Sequence, residues 1–354
     1  MIEEFKQKTN NHFEFSEFQQ KACLSIENHK HVLVTAHTGS GKTLPALFSI
    51  YYWIEIKQKK VIYTTPIKAL SNQKYKEMKD TFPDYEVGIL TGDIKHNPEA
   101  QILIMTTEIL QNHCYKQKNR NMYLDFQMNL HDELGCVIFD EVHYIDDIDR
   151  GTIWEQTMMM LPKHIPFVML SATIGQKEVF AKWIANLTQK EVVICHHNER
   201  VVPLTFYEYF CIPRKYIDNL SDKVKKKLFI EKTSETLRVI KTPKTYDYSV
   251  LNQTKKCIHE MNKDRYFVPS KYILNECLKD LRDKDMFPAL LFVFSRKKVE
   301  FLASQITTPL YLENEKDSYV EPYVRQTMVR QFSNWREYVE LPEYRIYVDL
   351  LKKG

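Results

Sequence analysis

Residues Ala36–Thr43 read AHTGSGKT and close the apolar run His31–Ala36. Glycine lets the backbone curl tightly and point successive N–H groups at a phosphate, and a helix starting there adds its positive dipole end. In this pattern the lysine reaches the β- and γ-phosphates and the final threonine binds magnesium. The segment therefore predicts a phosphate-binding loop, whose nucleotide-contacting residues are His37, Thr38, Gly39, Ser40, Gly41, Lys42 and Thr43.

A second apolar run, Cys136–Asp140, ends in two adjacent carboxylates. Asp140 is expected to hold magnesium through water, and Glu141 to orient and deprotonate the attacking water. Adjacent strand residues point to opposite faces, so both carboxylates can serve one site only where the strand ends and the backbone turns. An acidic pair alone is more often a solvated loop, but the phosphate-binding loop upstream favours catalytic roles for Asp140 and Glu141.

A third apolar run, Phe167–Ser171, is followed two residues later by Thr173. His143 follows Asp140 by three residues, and a histidine at such a place is often an ordinary surface residue. With Ser171 and Thr173 at the next predicted strand end, we expect His143 to link the nucleotide state to that neighbouring segment. The coupling residues predicted here are His143, Ser171 and Thr173.

Aromatic residues precede a glutamine near the amino terminus, in the segment 13–19. A glutamine amide can pair with adenine, and an aromatic ring can stack on the base. Phe15 and Gln19 are therefore candidate adenine-binding residues. The equal alternative is the start of an amphipathic helix whose phenylalanines lie in the core.

Short apolar, β-branched runs alternate with amphipathic segments from residue 31 to about 200, which predicts an α/β domain with a parallel sheet and helices on both faces. Ligands of such sheets bind at the carboxyl ends of the strands, where all three segments above lie. We place this domain at residues 1–202 and a second domain at 203–354. A polar, basic insertion without a clear period, 213–285, interrupts the second domain, and Ala289–Ser295 is expected to resume it as a strand.

Composition narrows the class of protein further. The net charge is +4, yet 213–285 holds 18 Lys and Arg against 11 Asp and Glu. No CxxC pair occurs among the seven cysteines, which argues against zinc ribbons and favours free thiols in a reducing, intracellular compartment. No signal peptide or membrane span is evident, so no membrane partner is expected.

Several longer strings together resemble superfamily 2 DExH-box helicases, and most closely the superkiller-type RNA helicases that feed RNA to the exosome. The strings are TPIKALSNQKY at Thr65–Tyr75, LTGD at Leu90–Asp93, MTTEIL at Met105–Leu110, FDEVHY at Phe139–Tyr144 and LSATI at Leu170–Ile174. This resemblance covers about residues 13–205. It implies a RecA-like P-loop NTPase domain that uses ATP and Mg²⁺.

The resemblance also implies the substrate and its contacts. Single-stranded RNA is expected to be held by its backbone, with movement in the 3′-to-5′ direction, and RNA-decay machinery is a possible partner. Such binding tolerates sequence and is sensitive to salt. The residues that would line the RNA path are Pro66, Lys68, Thr91, Gly92, Thr107 and Glu108.

The second domain departs from the family pattern. Phe292–Glu300 is similar to the first motif of the family's second RecA-like domain, and the chain ends at Leu350–Gly354 before that domain's later motifs. We therefore expect an incomplete second RecA-like domain, without identifiable arginine fingers, and little turnover by the isolated chain. In the first domain, Gln111 stands where relatives often carry arginine.

Two other functions remain open at this point. One is a nucleotide- and RNA-binding fragment or regulator without turnover of its own. The other is a DNA helicase relative, because motifs that follow a phosphate backbone do not exclude DNA. The 2′-hydroxyl contacts that would decide between RNA and DNA cannot be deduced from the sequence.

Overall fold

The computed structural model describes residues 1–10, 13–118, 126, 128–200, 202–310, 319–332 and 334–352. The chain divides into two compact units, Met1–Val202 and Pro203–Gly354. All seven cysteines are free thiols. None of the helices in the described ranges has the length and apolar character needed to cross a membrane.

An eight-stranded sheet forms the first unit. Its strands are β1 His31–Ala36, β2 Lys60–Thr65, β3 Val87–Leu90, β4 Lys95–His96, β5 Ile102–Thr106, β6 Leu134–Phe139, β7 Phe167–Ser171 and β8 Val192–His197. They lie in the order β4-β3-β5-β2-β6-β7-β1-β8. Every neighbouring pair is parallel except β3 and β4. The apolar runs His31–Ala36, Cys136–Asp140 and Phe167–Ser171 correspond to β1, β6 and β7, and the alternation of strands and helices confirms the α/β class.

Helices cover both faces of this sheet. A π-helical turn, Tyr52–Ile56, extends the third helix, and a 3₁₀ turn, Val142–Asp146, follows the acidic pair. The helices are α1 Ile2–Lys8, α2 Glu17–Glu27, α3 Leu44–Tyr51, α4 Lys68–Thr81, α5 Thr107–Lys118, α6 Gly151–Met160 and α7 Lys177–Thr188. Buried side chains of α1–α4 join one core cluster, and those of α5–α7 join a second one.

Alternation along the strands explains the two cores. In β1, Val32 and Val34 belong to the first cluster while Leu33 belongs to the second. All three side chains are fully buried, and each contributes roughly 1.5–3 kcal/mol by leaving water. Because both faces are covered, the strands are apolar on successive residues, as the sequence indicated.

The second unit is mainly helical. Its two strands, β9 Phe206–Tyr209 and β10 Leu237–Lys241, form a small antiparallel sheet. Ile212, Ile217, Phe229 and Cys257 make a core beneath them. The helices are α8 Arg214–Asp218, α9 Lys223–Thr233, α10 Tyr248–Lys263, α11 Ser270–Asp283, α12 Arg296–Ser304, α13 Val320–Gln331, α14 Trp335–Glu340 and α15 Pro342–Leu351.

Two expectations for this unit need correction. Segment 213–285 is regular, and α10 and α11 within it are amphipathic helices that bury Val250 with Cys257 and Leu274 with Leu278 at helical spacing. The helical period was missed because each helix has only these two buried side chains among many polar residues. Ala289–Ser295 is not a strand, and Leu290, Leu291, Phe292 and Phe294 are each at least 60% exposed. A strand requires a partner, and the two strands in the described part of this unit pair with each other. The second RecA-like domain stays a prediction.

The lysines of α9 divide into two groups. Asp222 caps the helix by accepting hydrogen bonds from the backbone N–H groups of residues 224 and 225. Lys225 Nζ lies 2.6 Å from Asp264 Oδ2 and is largely covered, whereas Lys223 is exposed. Lys232 is 1% exposed and forms an ion pair with Glu208 of β9. The basic segment is therefore partly internal structure rather than a uniformly charged surface.

The buried pair predicts a local stability effect. Lys232→Ala leaves the carboxylate of Glu208 buried and unpaired, which costs about 3–5 kcal/mol. Amide hydrogen exchange of peptides spanning 206–241 should become faster in this variant. Lys223→Ala, on the exposed side of the same helix, is the matched control and should leave exchange unchanged. Equal exchange rates in the two variants would contradict the structural role of Lys232.

Candidate nucleotide and nucleic-acid site

The three motif-bearing strands β6, β7 and β1 are adjacent and parallel. Their carboxyl ends therefore meet at one edge of the sheet. The phosphate-binding loop follows β1, the acidic pair follows β6, and the segment of Ser171 and Thr173 follows β7. Motifs that are distant in the sequence thus form one site.

The phosphate-binding loop depends on its two glycines. Gly39 and Gly41 have φ angles of +86° and +80°, which favour glycine. Gln19 Nε2 donates to the carbonyl oxygen of Gly41 at 3.1 Å, and Gln19 Oε1 accepts from the backbone N–H of Ser16 at 2.9 Å. Gln19, the candidate adenine-binding residue, therefore touches the loop itself.

The acidic pair lies at a sharp backbone turn. β6 ends at Phe139, and Glu141 adopts a left-handed conformation with φ 52° and ψ 47°. This turn lets two adjacent carboxylates serve one site, as the sequence argument requires. Asp140 is buried, and burial raises its pKa above the ordinary value, while the nearby Lys74 and the hydroxyl of Tyr63 act in the opposite direction.

Lys42 and Glu141 join the loop to the acidic pair. Lys42 Nζ donates to Glu141 Oε1 at 2.8 Å, and both side chains are at least half-buried. The second oxygen, Glu141 Oε2, is buried and accepts no hydrogen bond from the described residues. One oxygen of Glu141 is therefore held by a cation, and the other can accept a hydrogen bond from a water molecule.

His143 lies between the acidic pair and β7. Its Nδ1 atom is 3.4 Å from Glu141 Oε2 and 3.4 Å from Ser171 Oγ. Ser171 is buried at the end of β7, whereas Thr173 is exposed two residues beyond it. The structure thus brings His143 and Ser171 together and leaves Thr173 outside that contact.

The donor set suits Mg²⁺. Asp140, Glu141 and Thr43 offer carboxylate and hydroxyl oxygens, which are the ligands that this ion prefers. In the described part of the chain, no group of three or more His, Cys, Asp or Glu side chains could hold a metal by itself. Mg²⁺ is usually bound by one or two carboxylates together with nucleotide phosphates. The orphaned oxygen of Glu141 also fits a site that is completed by water.

The residues expected along the RNA path lie on the other half of the sheet, after the neighbouring strands β2, β5 and β3. Lys68 and Gly92 are exposed, and Lys68 Nζ lies 2.6 Å from Asp93 Oδ2. The guanidinium of Arg150 donates to the carbonyl oxygen of Pro66 and, at 2.8 Å, to Glu108 Oε1. This arginine therefore ties the loop after β2 to the start of α5.

Several predicted contacts are less accessible than expected. Phe15 is 5% exposed and packs against Phe5 with ring centroids 6.1 Å apart, whereas Phe13 is 53% exposed. Phe15 therefore lies in the core, as the alternative interpretation held, and Phe13 is the accessible ring; an adenine contact of Phe15 stays a prediction. Thr91 and Thr107 are 8% and 1% exposed, so their hydroxyls do not form an open surface.

Two residues of the site were not among the site residues predicted from the sequence. Tyr63 OH donates to Asp140 Oδ2 at 2.8 Å, and Arg150 makes the bridge described above. The sequence signal available for Tyr63 was a tyrosine hydroxyl within a strand that is expected to be buried. The contacts of Arg150 span 84 and 42 residues, so nothing in its local sequence points to them.

Comparison with known proteins agrees with this geometry. Residues 16–180 match the DEAD/DEAH box helicase family. The chain is 32% identical to antiviral helicase SKI2 of Saccharomyces cerevisiae over 97% of its length, covering 28% of that protein. It is 33% identical to superkiller complex protein 2 of Homo sapiens over 97% of its length, covering 26% of that protein. Exosome RNA helicase MTR4 of Homo sapiens is 33% identical over 95% of this chain, which covers 30% of MTR4.

A crystal structure of the DUF1998 helicase MrfA aligns with 95% of this chain, and the alignment covers 42% of the MrfA chain at a TM-score of 0.51 and 15% sequence identity. This similarity supports the fold alone. The chain carries a DEAD/DEAH box helicase domain. Its homologues are SKI2, MTR4 and other DExH-box RNA helicases, of which it spans about a quarter to a third in length. The resemblance stated from the sequence is confirmed.

The contact between Gln19 and the loop predicts a selective effect of Gly41→Ala. A Cβ atom at this position would lie 2.5 Å from Gln19 Nε2, so the amide must move and lose its bond to the loop. Discrimination between ATP and GTP in equilibrium binding should fall about five-fold, as one hydrogen bond contributes about 1 kcal/mol.

Gly39→Ala is the matched control for this experiment. It imposes a similar φ strain but meets nothing within 4 Å. It should weaken ATP and GTP binding equally and keep the discrimination. Unchanged discrimination in Gly41→Ala would show that Gln19 does not read the base.

Proposed function

We propose that this chain is the part of an ATP-dependent RNA helicase that binds ATP with magnesium and holds the RNA backbone. In the full-length protein, hydrolysis would drive 3′-to-5′ movement along single-stranded RNA. The observation that carries the proposal is the meeting of Lys42, Asp140, Glu141 and Ser171 at the ends of three adjacent parallel strands. The names of the relatives, among them exosome RNA helicase and superkiller complex protein, support RNA as the substrate.

The side chains divide the work of hydrolysis. Lys42 exchanges its ion pair with Glu141 for phosphate oxygens, which releases the carboxylate to orient the attacking water and accept its proton. Thr43 and Asp140 would hold Mg²⁺, which neutralises charge on the phosphates. Phe13 and Gln19 would contact the adenine, with Phe13 taking the stacking role first given to Phe15.

Coupling to RNA has a direct path in the first unit. His143 contacts both Glu141 and Ser171, so a change at the γ-phosphate reaches β7 through one side chain. The same segment continues to Arg150, whose guanidinium bridges the loop at Pro66 and the start of α5 at Glu108. A shift of this segment would therefore move residues on the proposed RNA path. We also propose RNA-decay machinery as a partner, and an intracellular location that suits seven free thiols.

Lys42→Ala and Glu141→Gln should fail in different ways. Lys42→Ala removes a charged phosphate contact and should weaken ATP binding by about 10- to 150-fold. In the full-length protein, Glu141→Gln keeps the shape of the side chain but removes the base, so ATP should stay bound while single-turnover hydrolysis with RNA falls about 10²- to 10⁴-fold. Equal losses of nucleotide affinity in the two variants would contradict the assigned roles.

The lysines of α9 other than Lys225 and Lys232 test whether the second unit adds RNA affinity. Replacing Lys223, Lys226 and Lys227 with glutamine spares the Lys225–Asp264 pair that supports the fold. If all three contact phosphates, the slope of log affinity against log salt should flatten by up to about 2, or 0.7 for each contact. Lys57→Gln with Lys163→Gln, at exposed lysines that precede β2 and β7, is the control. An unchanged slope with intact circular dichroism would make this segment a spacer or a protein-docking surface.

A further inference from the structure

Tyr63 is a fully buried phenol on β2, directly beside β6. It pairs in register with Ile138, and Asp140 lies two residues further along the same face. The ring therefore points along the sheet toward the carboxylate, and its hydroxyl donates to Asp140 Oδ2 at 2.8 Å. A buried hydroxyl costs free energy unless it has a partner, and here that partner is the magnesium-binding carboxylate.

The carboxylate of Asp140 is held at both oxygens. Oδ1 accepts the backbone N–H of Glu141 at 3.0 Å, while Oδ2 accepts the phenol. Two hydrogen bonds from groups of fixed position leave the carboxylate one orientation. Each ionised oxygen keeps a further lone pair that can accept from a magnesium-bound water.

A buried cation lies behind the phenol. Lys74 of α4 is 9% exposed, and its Nζ atom lies 5.9 Å from the centroid of the Tyr63 ring. Glu77, one turn further on the same helix, accepts from this ammonium at 2.8 Å. The ammonium and the ring attract each other, which holds the ring against α4.

We propose that Tyr63, supported by Lys74, is a positioning residue that fixes the Asp140 carboxylate for magnesium. This inference rests on the proposed function, since it assigns Tyr63 and Lys74 a part in the same magnesium site. A phenylalanine at residue 63 would fill nearly the same volume in the core. The hydroxyl is therefore the atom that carries the role, and its removal separates positioning from packing.

The test compares Tyr63→Phe with the wild-type 354-residue chain. Binding of a fluorescent, non-hydrolysable ATP analogue is measured across a magnesium titration and again in EDTA. The magnesium concentration at half-saturation should rise about 10- to 100-fold in Tyr63→Phe, the usual effect of losing an outer-shell partner. Affinity for the analogue in EDTA should stay the same, because the variant keeps Lys42 and the loop.

Tyr52→Phe is the matched control. Tyr52 is also buried, at 3% exposure, but its hydroxyl donates to the carbonyl oxygen of Glu27, away from the site. The Tyr52→Phe variant should need the same magnesium concentration as the wild type, even if its unfolding temperature is lower. If Tyr63→Phe does not fold, Lys74→Met takes its place and should raise the magnesium requirement in the same direction by a smaller factor.

The outcomes separate this inference from the proposed function. The positioning role alone is overturned if the wild type binds the analogue with magnesium and Tyr63→Phe needs the same magnesium concentration for half-saturation. It is also overturned if Tyr52→Phe raises that concentration as much as Tyr63→Phe does. No binding of the analogue by the wild type overturns the proposed function and this inference together. A larger magnesium requirement in Tyr63→Phe with equal affinity in EDTA supports the positioning role.

Discussion

The side-by-side, parallel arrangement of β6, β7 and β1 is the constraint on which the site depends. Parallel strands have their carboxyl ends at the same edge of the sheet. Three loops that are distant in the sequence therefore meet there. The arrangement also requires that both faces of the sheet be buried, which two hydrophobic clusters accomplish. The same rule places the proposed RNA residues after β2, β5 and β3, so β6 is the border between the two halves of the edge.

At the end of β6, charged side chains have opposing effects on the two carboxylates, Asp140 and Glu141. Glu141 occupies a left-handed conformation that L-residues rarely adopt, and this turn presents it to Lys42 while Asp140 remains in the buried layer. Burial alone would favour a neutral Asp140, and the phenol of Tyr63 with the ammonium of Lys74 opposes that tendency. Arg150 then extends the segment toward Pro66 and Glu108. The proposed catalytic and RNA-binding residues are thus connected through a few polar contacts.

Features that depend on neighbouring residues in the sequence could be predicted, whereas contacts between residues distant in the sequence could not. Strand positions and the motif residues Lys42, Asp140 and Glu141 could be deduced because apolar runs and turn chemistry are local. The roles of Tyr63 and Arg150 could not, because they arise from contacts across strands and loops. The sequence left the placement of Phe15 open because a phenylalanine before a glutamine can face either the core or the base, and the structure places it in the core. Ala289–Ser295 matches a strand in composition, yet it has no partner strand in the described part of its unit.

The most direct test of the central claim is a crystal structure of this chain with a non-hydrolysable ATP analogue and magnesium. The account predicts that Lys42 Nζ leaves Glu141 for the phosphates, that Thr43 and Asp140 surround the metal, and that Glu141 Oε2 faces the γ-phosphate. Adenine should lie beside Gln19. A nucleotide bound elsewhere, or one bound at this edge with the 2.8 Å Lys42–Glu141 pair still intact, would contradict the account.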